Sequence, residues 1–198
     1  MSRRETVLSP PPRAPRGAVP GPSGPHRGLR GLAVASTATT FLLVAAGALV
    51  RATNSGDACP DWPRCNGRWI PPLEYHQLIE YSHRLTASVV IVLIAVLAVL
   101  AWRRRSSAPG VFRAAAIAMG LVLAQALLGA VVVWSRLEAL NVTAHLATAM
   151  LLVAALVYAT VEAFSVDAPV AGAASGLTRL AWSVAAAAFL LMLVGAVV

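Results

Sequence analysis

Five long apolar runs alternate with short polar segments along the chain. Their approximate bounds are 31–50, 73–102, 111–134, 142–164 and 177–198. Each run has about 20 residues or more, which is the length that an α-helix needs to cross the hydrocarbon core of a bilayer. The pattern predicts an all-α polytopic membrane protein, in which a four-helix transmembrane bundle is followed by a fifth transmembrane helix.

The composition agrees with this class. Hydrophobic residues make up 58% of the chain, charged residues only 12%, and the mean hydropathy is +0.72. A soluble domain has about 45–50% apolar and about 25% charged residues, so a soluble globular enzyme is excluded. The net charge is +8, and all sixteen basic residues are Arg. Because these Arg residues flank apolar runs and do not cover a polar face, we expect no nucleic-acid partner.

The distribution of Arg predicts the orientation in the membrane. With the N-terminus in the cytoplasm, eleven of the sixteen Arg residues lie inside, four lie outside, and Arg84 lies within a span. Basic residues are concentrated on the cytoplasmic side of membrane proteins. We therefore expect a multi-pass protein of the plasma membrane, with the polar loop 51–74 outside. The first run exceeds the ~7–15 apolar residues of a signal peptide, although cleavage after Ala48 is an alternative.

An internal repeat suggests how the chain is organised. Residues 41–50 (FLLVAAGALV) align without gaps to residues 189–198 (FLLMLVGAVV), and six of the ten positions are identical. The fifth helix then begins a second copy of the first four. We expect a fragment of a longer protein, or a half-size unit that pairs with another copy. The predicted regions are a disordered cytoplasmic tail (1–28), a four-helix transmembrane unit (29–164), a linker (165–176) and the first helix of a truncated second repeat (177–198).

Ionisable residues inside the spans are the candidate chemistry, because such residues are costly in a bilayer and usually functional. The second span carries Glu80, His83 and Arg84, and the fourth carries His145. The two spans run in the same direction, and both histidines lie in the outer half of the bilayer. Two imidazoles at similar depth favour axial ligation of one haem iron. The alternatives are two hydrogen-bonded interior histidines, or a zinc site with Glu80 as third ligand.

Glu80 and Arg84 have two possible roles each. Glu80 lies three residues before His83 and on the same helix face. It is a candidate proton acceptor, or a group that stabilises positive charge on a substrate. Arg84 can pair with Glu80 across one helical turn, or donate to a haem propionate.

The cysteines, Cys59 and Cys65, both lie in the polar loop. Thiols outside the cytoplasm oxidise, so the loop is expected to carry a disulfide. Its stabilisation would be roughly 2–3 kcal/mol in the chain-entropy model. A redox-active pair is the alternative.

Five segments together resemble the haem A synthase family (the CtaA/COX15 group). The resemblance extends from about residue 32 to residue 160, and the order of the segments is highly specific. They are GALVRATNSG (47–56), CPDWPRCNG (59–67), IEYSHR (79–84), QALLG (125–129) and TAHL (143–146).

This resemblance implies a membrane oxidoreductase that oxidises the C8 methyl of haem O to a formyl group, giving haem A for cytochrome oxidase. By the same resemblance His83 and His145 hold the substrate haem, Glu80 takes part in turnover, and Cys59 and Cys65 are the loop cysteines of bacterial members. The second half of family members, with the histidines assigned to a cofactor haem b, is not present here beyond one helix. The electron donor is not identified. A bis-histidine b-type cytochrome and a haem-delivery or assembly subunit are the alternative functions.

Overall fold

A computed structural model describes residues 26–166 and 175–197. The predicted tail over 1–25 and the linker residues 167–174 lie outside the described residues. Within the described ranges the secondary structure is helical, with one isolated β-bridge between Cys65 and Arg68. The helices are α1 Arg27–Ala52, α2 Tyr75–Arg103, α3 Pro109–Trp134, α4 Ala139–Ser165 and α5 Ser175–Val197.

The helices confirm the predicted fold class. Helices α1 to α4 are each long and apolar enough to cross a membrane, so the chain is a multi-pass membrane protein. Helix α5 has a shorter apolar stretch, Arg179–Met192. The predicted runs agree with the five helices to within four residues at every end, because the apolar runs stop where polar or turn residues begin.

The first four helices form a closed bundle. Helix α1 packs against α2 and α4, and α3 packs against the same two helices. Helices α2 and α4 therefore occupy opposite corners of the bundle, as do α1 and α3. Helix α5 packs against α4. Successive helices are antiparallel, so the 53–74 loop and the short turn between α3 and α4 lie at the same end.

The hydrophobic core fills only the half of the bundle away from that loop, which we call the tail half. Small residues of α3 pack there against branched side chains of α2 and α4, as in many membrane bundles. Thr37 of α1 adds a hydrogen bond of 2.9 Å to the Thr160 hydroxyl of α4. The buried core consists of Leu29, Ala33, Val90, Ile94, Leu97, Ala101, Ala108, Val111, Ala115, Ala118, Val122, Leu152, Leu156 and Ala163.

The half nearer the loop, which we call the loop half, is packed differently. Its four helix segments are 41–52, 75–89, 123–134 and 139–151. Their inward-facing side chains are mostly half-buried, and only Glu80, Ala130 and Thr143 are fully buried. The helices thus form a tight bundle at one end and a loosely packed one at the other. Every predicted intramembrane site residue lies in the loose end.

Candidate functional site

The two histidines predicted to act together lie at opposite corners of the loop half. His83 belongs to α2 and His145 to α4. Their rings are close enough for one to act electrostatically on the other. In both, the Nδ1 atom is buried and has no hydrogen-bond partner. A buried ring nitrogen without a partner is costly, and a metal bound between the corners would give it a partner.

Each of these rings lies beside a glycine of a neighbouring helix. A Cβ atom built on Gly47 of α1 would be 3.1 Å from Cε1 of His83. A Cβ atom built on Gly129 of α3 would be 3.5 Å from Cε1 of His145. Gln125, one turn before Gly129, donates a 2.8 Å hydrogen bond to the backbone carbonyl of His145. The imidazoles therefore occupy space that larger residues on α1 and α3 would fill.

These observations fit a haem better than a small metal ion. A haem needs two axial nitrogens from facing helices and apolar room between them. The two imidazoles on opposite corners, each with an unpartnered Nδ1, meet the first need. The half-buried apolar side chains around them are of the kind that lines a haem site. In the described ranges no group of three or more His, Cys, Asp or Glu side chains is placed to hold a metal ion. The zinc alternative required Glu80 beside the histidines, and Glu80 binds elsewhere.

Glu80 faces the polar loop, although it leaves α2 close to His83. Its side chain is 4% exposed. One carboxylate oxygen forms an ion pair with Arg84, and the other accepts a 2.8 Å hydrogen bond from the backbone N–H of Cys59. The carboxylate thus connects the helix to the loop segment that carries the first cysteine.

Arg84 makes the larger part of this connection. Its Nη1 atom donates to the carbonyl oxygens of Asp61 and Arg64 at 2.7 and 2.8 Å, and its Nη2 atom donates to the carbonyl of Cys59 at 2.7 Å. The Glu80 carboxylate is the fourth acceptor. Of the two predicted roles, the structure shows the pairing with Glu80. The propionate role stays a prediction. Both terminal nitrogens of the guanidinium already have hydrogen-bond partners within the chain.

The loop itself is closed by the predicted disulfide between Cys59 and Cys65. Both cysteines are fully buried. The Asp61 carboxylate accepts hydrogen bonds from the backbone N–H groups of Asn66 and Gly67. These hydrogen bonds, the one from Gly67 first, hold the pKa of Asp61 below its ordinary value against the opposing effect of desolvation, and the Arg84 charge adds to the lowering.

Several residues of this site were missed in the sequence. Asp61 closes the loop turn, and a loop Asp near an Asn-Gly pair is a recognisable turn signal. Ser55 is buried, and its hydroxyl lies 2.9 Å from Nδ1 of His76 at the loop end of α2. Gly47 and Gly129 were quoted within motifs without a role. Their contacts depend on helix packing, so no local pattern could reveal them.

The sequence model of the COX15-CtaA family, described as cytochrome oxidase assembly protein, matches residues 30–198. This match extends across all five helices.

Several relatives carry the name Heme A synthase. The protein of Geobacillus kaustophilus (strain HTA426) is 39% identical over 109 residues, which are 55% of this chain and 34% of that protein. The protein of Geobacillus thermodenitrificans is 41% identical over 106 residues, 54% of this chain and 33% of its own length. That of Lysinibacillus sphaericus (strain C3-41) is 37% identical over 145 residues, 72% of this chain and 47% of its own length. The matched region thus spans a third to a half of the length of these relatives.

Proposed function

Because the chain belongs to the COX15-CtaA family of cytochrome oxidase assembly proteins, we propose that it acts in haem A synthesis. The proposed reaction oxidises the C8 methyl of haem O to the formyl group of haem A. The similarity to proteins named Heme A synthase supports this reaction. The observation that carries the proposal is the pair of buried, unpartnered imidazoles, His83 and His145, on opposite corners of the loop half.

The roles of the two histidines are proposed as follows. His83 and His145 bind the iron of the substrate haem from α2 and α4. The half-buried apolar side chains around them enclose the macrocycle and keep water from it. Haem O brings the iron chemistry, and the chain orients it so that one methyl group lies at a fixed place.

Glu80 is proposed to act in turnover through its charge. The carboxylate lies one helical turn from His83, and its partners are Arg84 and the Cys59 amide. A proton bound at Glu80 would weaken both interactions. The protonation state of Glu80 is thereby tied to how firmly the loop is held above the haem site.

The remaining parts of the proposal concern location and partners. We place the chain in the plasma membrane with the N-terminus in the cytoplasm and the Cys loop outside, following the distribution of Arg. The proposed partners are haem O, an electron donor that is still to be identified, and either a second copy of the chain or a C-terminal half that carries haem b.

The test is the chemistry of the bound pigment. The chain is expressed in cells that make haem O but lack haem A synthase, purified in detergent, and its haem is extracted and weighed by mass spectrometry. Haem A in the extract supports the proposal. His83→Ala and His145→Ala are each expected to lose the bound haem, whereas His76→Ala, at the loop end of α2, is expected to keep it. A chain that binds no haem, or that keeps haem without both histidines, contradicts the proposed site.

A bis-histidine b-type cytochrome is the second candidate, because the unpartnered imidazoles alone would suffice for it. Electron transfer needs the two axial ligands and does not need Glu80. Glu80→Gln is therefore the discriminating variant. In a synthase it keeps the haem spectrum and abolishes formyl production. In a cytochrome no variant or parent chain forms haem A, and the substitution leaves the reduction of the haem unchanged.

A further inference from the structure

The ring of His83 lies directly against the backbone of α1. The Cβ position of Gly47 is 3.1 Å from Cε1 of this ring, 3.7 Å from Nδ1 and 3.8 Å from Nε2. A contact of 3.1 Å is tighter than nearly all Cβ contacts in proteins, so an added methyl group would push the ring away by a few tenths of an ångström. Glycine is thus the residue that lets this imidazole approach the helix so closely.

This close approach restricts the ring without using either of its nitrogens. The two nitrogens lie 3.7 and 3.8 Å from the Cβ position of Gly47, at ordinary van der Waals distances. Among the described residues, the buried Nδ1 atom of His83 has no hydrogen-bond partner. The backbone of α1 therefore limits how the imidazole can turn, while Nδ1 is left without a partner.

The second histidine is held differently. The Cβ position of Gly129 is 3.5 Å from Cε1 of His145, an ordinary van der Waals distance. The hydrogen bond from Gln125 goes to the backbone of His145 and leaves its ring unconstrained. The two imidazoles thus differ in their support, although both belong to the same pair.

We propose that Gly47 is a positioning residue that orients the imidazole of His83 as a haem ligand, by letting the ring lie against the backbone of α1. This inference rests on the proposed haem site. It makes the two axial ligands unequal, because the ring of His83 is held more closely against α1 than the ring of His145 is held against α3. Residues that orient a metal ligand are worth about 10–100-fold in metal affinity.

The test compares Gly47→Ala with Gly129→Ala in the full chain, using haem titration and electron paramagnetic resonance of the ferric protein. Gly47→Ala should lower haem affinity by about 10–100-fold and shift the low-spin signal, which reports the orientation of the imidazole planes. Gly129→Ala should leave both unchanged. Alanine favours helix more than glycine does, so α1 itself should tolerate the change, and circular dichroism checks this. Equal effects of the two substitutions, or none from Gly47→Ala, overturn the inference.

A second test uses the unsubstituted chain. Electron–nuclear double resonance of the ferric haem should show two imidazole ligands with unequal nitrogen couplings. Two equivalent ligands would overturn the inference. A chain that binds haem with this asymmetry and forms no haem A refutes the proposed reaction alone. A chain that forms haem A with two equivalent ligands refutes the role of Gly47 alone.

Discussion

Replacing Arg84 by Met should detach the Cys loop from helix α2 without cutting the disulfide. The guanidinium supplies three hydrogen bonds to loop carbonyls and the ion pair with Glu80. Methionine keeps much of the apolar stem and removes all four interactions. It also leaves the Glu80 carboxylate, 4% exposed, without a cation.

The size of the effect follows from that burial. The side chain of Arg84 is 15% exposed, so the pair is largely screened from water. Removing one partner of a buried ion pair costs about 3–5 kcal/mol, because the other charge stays uncompensated. At about 1.4 kcal/mol per factor of ten, loop opening should become a hundred to several thousand times more frequent. The lower end is expected here, because the disulfide still closes the loop.

Hydrogen exchange of the Cys59 amide measures this opening, since its N–H is bonded to Glu80 in the closed state. Arg64→Met is the matched control: its exposed side chain stacks on Trp69 in the same loop, at 5.2 Å from the ring centroid. Arg64 bonds to Arg84 through its backbone carbonyl, which the substitution keeps. Glu80→Gln should raise exchange by about tenfold or less, as the neutral amide still accepts the hydrogen bond. When Arg84→Met is made in the Glu80→Gln background, its effect on exchange of the Cys59 amide should be smaller, because the buried carboxylate is no longer charged. Unchanged exchange in Arg84→Met alone would refute the reasoning.

Three further predictions concern stability. Gly110→Ala should lower the melting temperature in detergent, since its Cβ would overlap the carboxylate of Glu162 and displace that side chain. Overpacking costs about 1–3 kcal/mol, and the lower end is expected because the displaced atoms end a flexible side chain. On the same helix, Gly120→Ala has no neighbour within 4 Å and should raise the melting temperature; a drop in both variants would contradict this. The lowered pKa of Asp61 stabilises the loop fully above the ordinary carboxyl pKa and less as the pH falls through the lowered value. The protection of the loop amides, after correction for the intrinsic exchange rate at each pH, should therefore fall in acid, and Asp61→Asn should lack this fall. Replacing both loop cysteines by serine should destabilise the loop by about 2–3 kcal/mol. An unchanged loop stability would show instead that the contacts with α2 are sufficient to hold the loop.

The helices could be predicted from the sequence because a bilayer requires long apolar segments. A span must be apolar over about 20 residues, and this requirement leaves a clear pattern between polar loops. His83 and His145 could be singled out for the related reason that polar groups inside a span stand out. Both lie in the loop half because each comes early in a helix that begins at the loop end. Their joint role as haem ligands stays a prediction.

The environment of Glu80 was not predictable in the same way. Helical spacing places Glu80 and His83 on one face, and this suggested that both face the haem site. The structure directs the carboxylate to the Cys59 amide instead. The direction of the Glu80 side chain depends on the loop that it contacts. The shape of this loop is set by the Cys59–Cys65 disulfide and by the turn at Asp61. Likewise, the contact of Gly47 with His83 depends on how closely α1 and α2 approach, and spacing along one helix does not contain that distance.

The uneven packing of the bundle has a consequence for how the protein matures. Its buried core lies in the tail half, so the apolar contacts that hold the four helices together do not involve the histidines. The helices can therefore associate in the membrane before any pigment is present. The loop half would then take its shape first and receive haem afterwards. On the proposed function, we expect haem to be delivered after insertion and folding, so that haem supply limits activity without limiting the amount of folded protein.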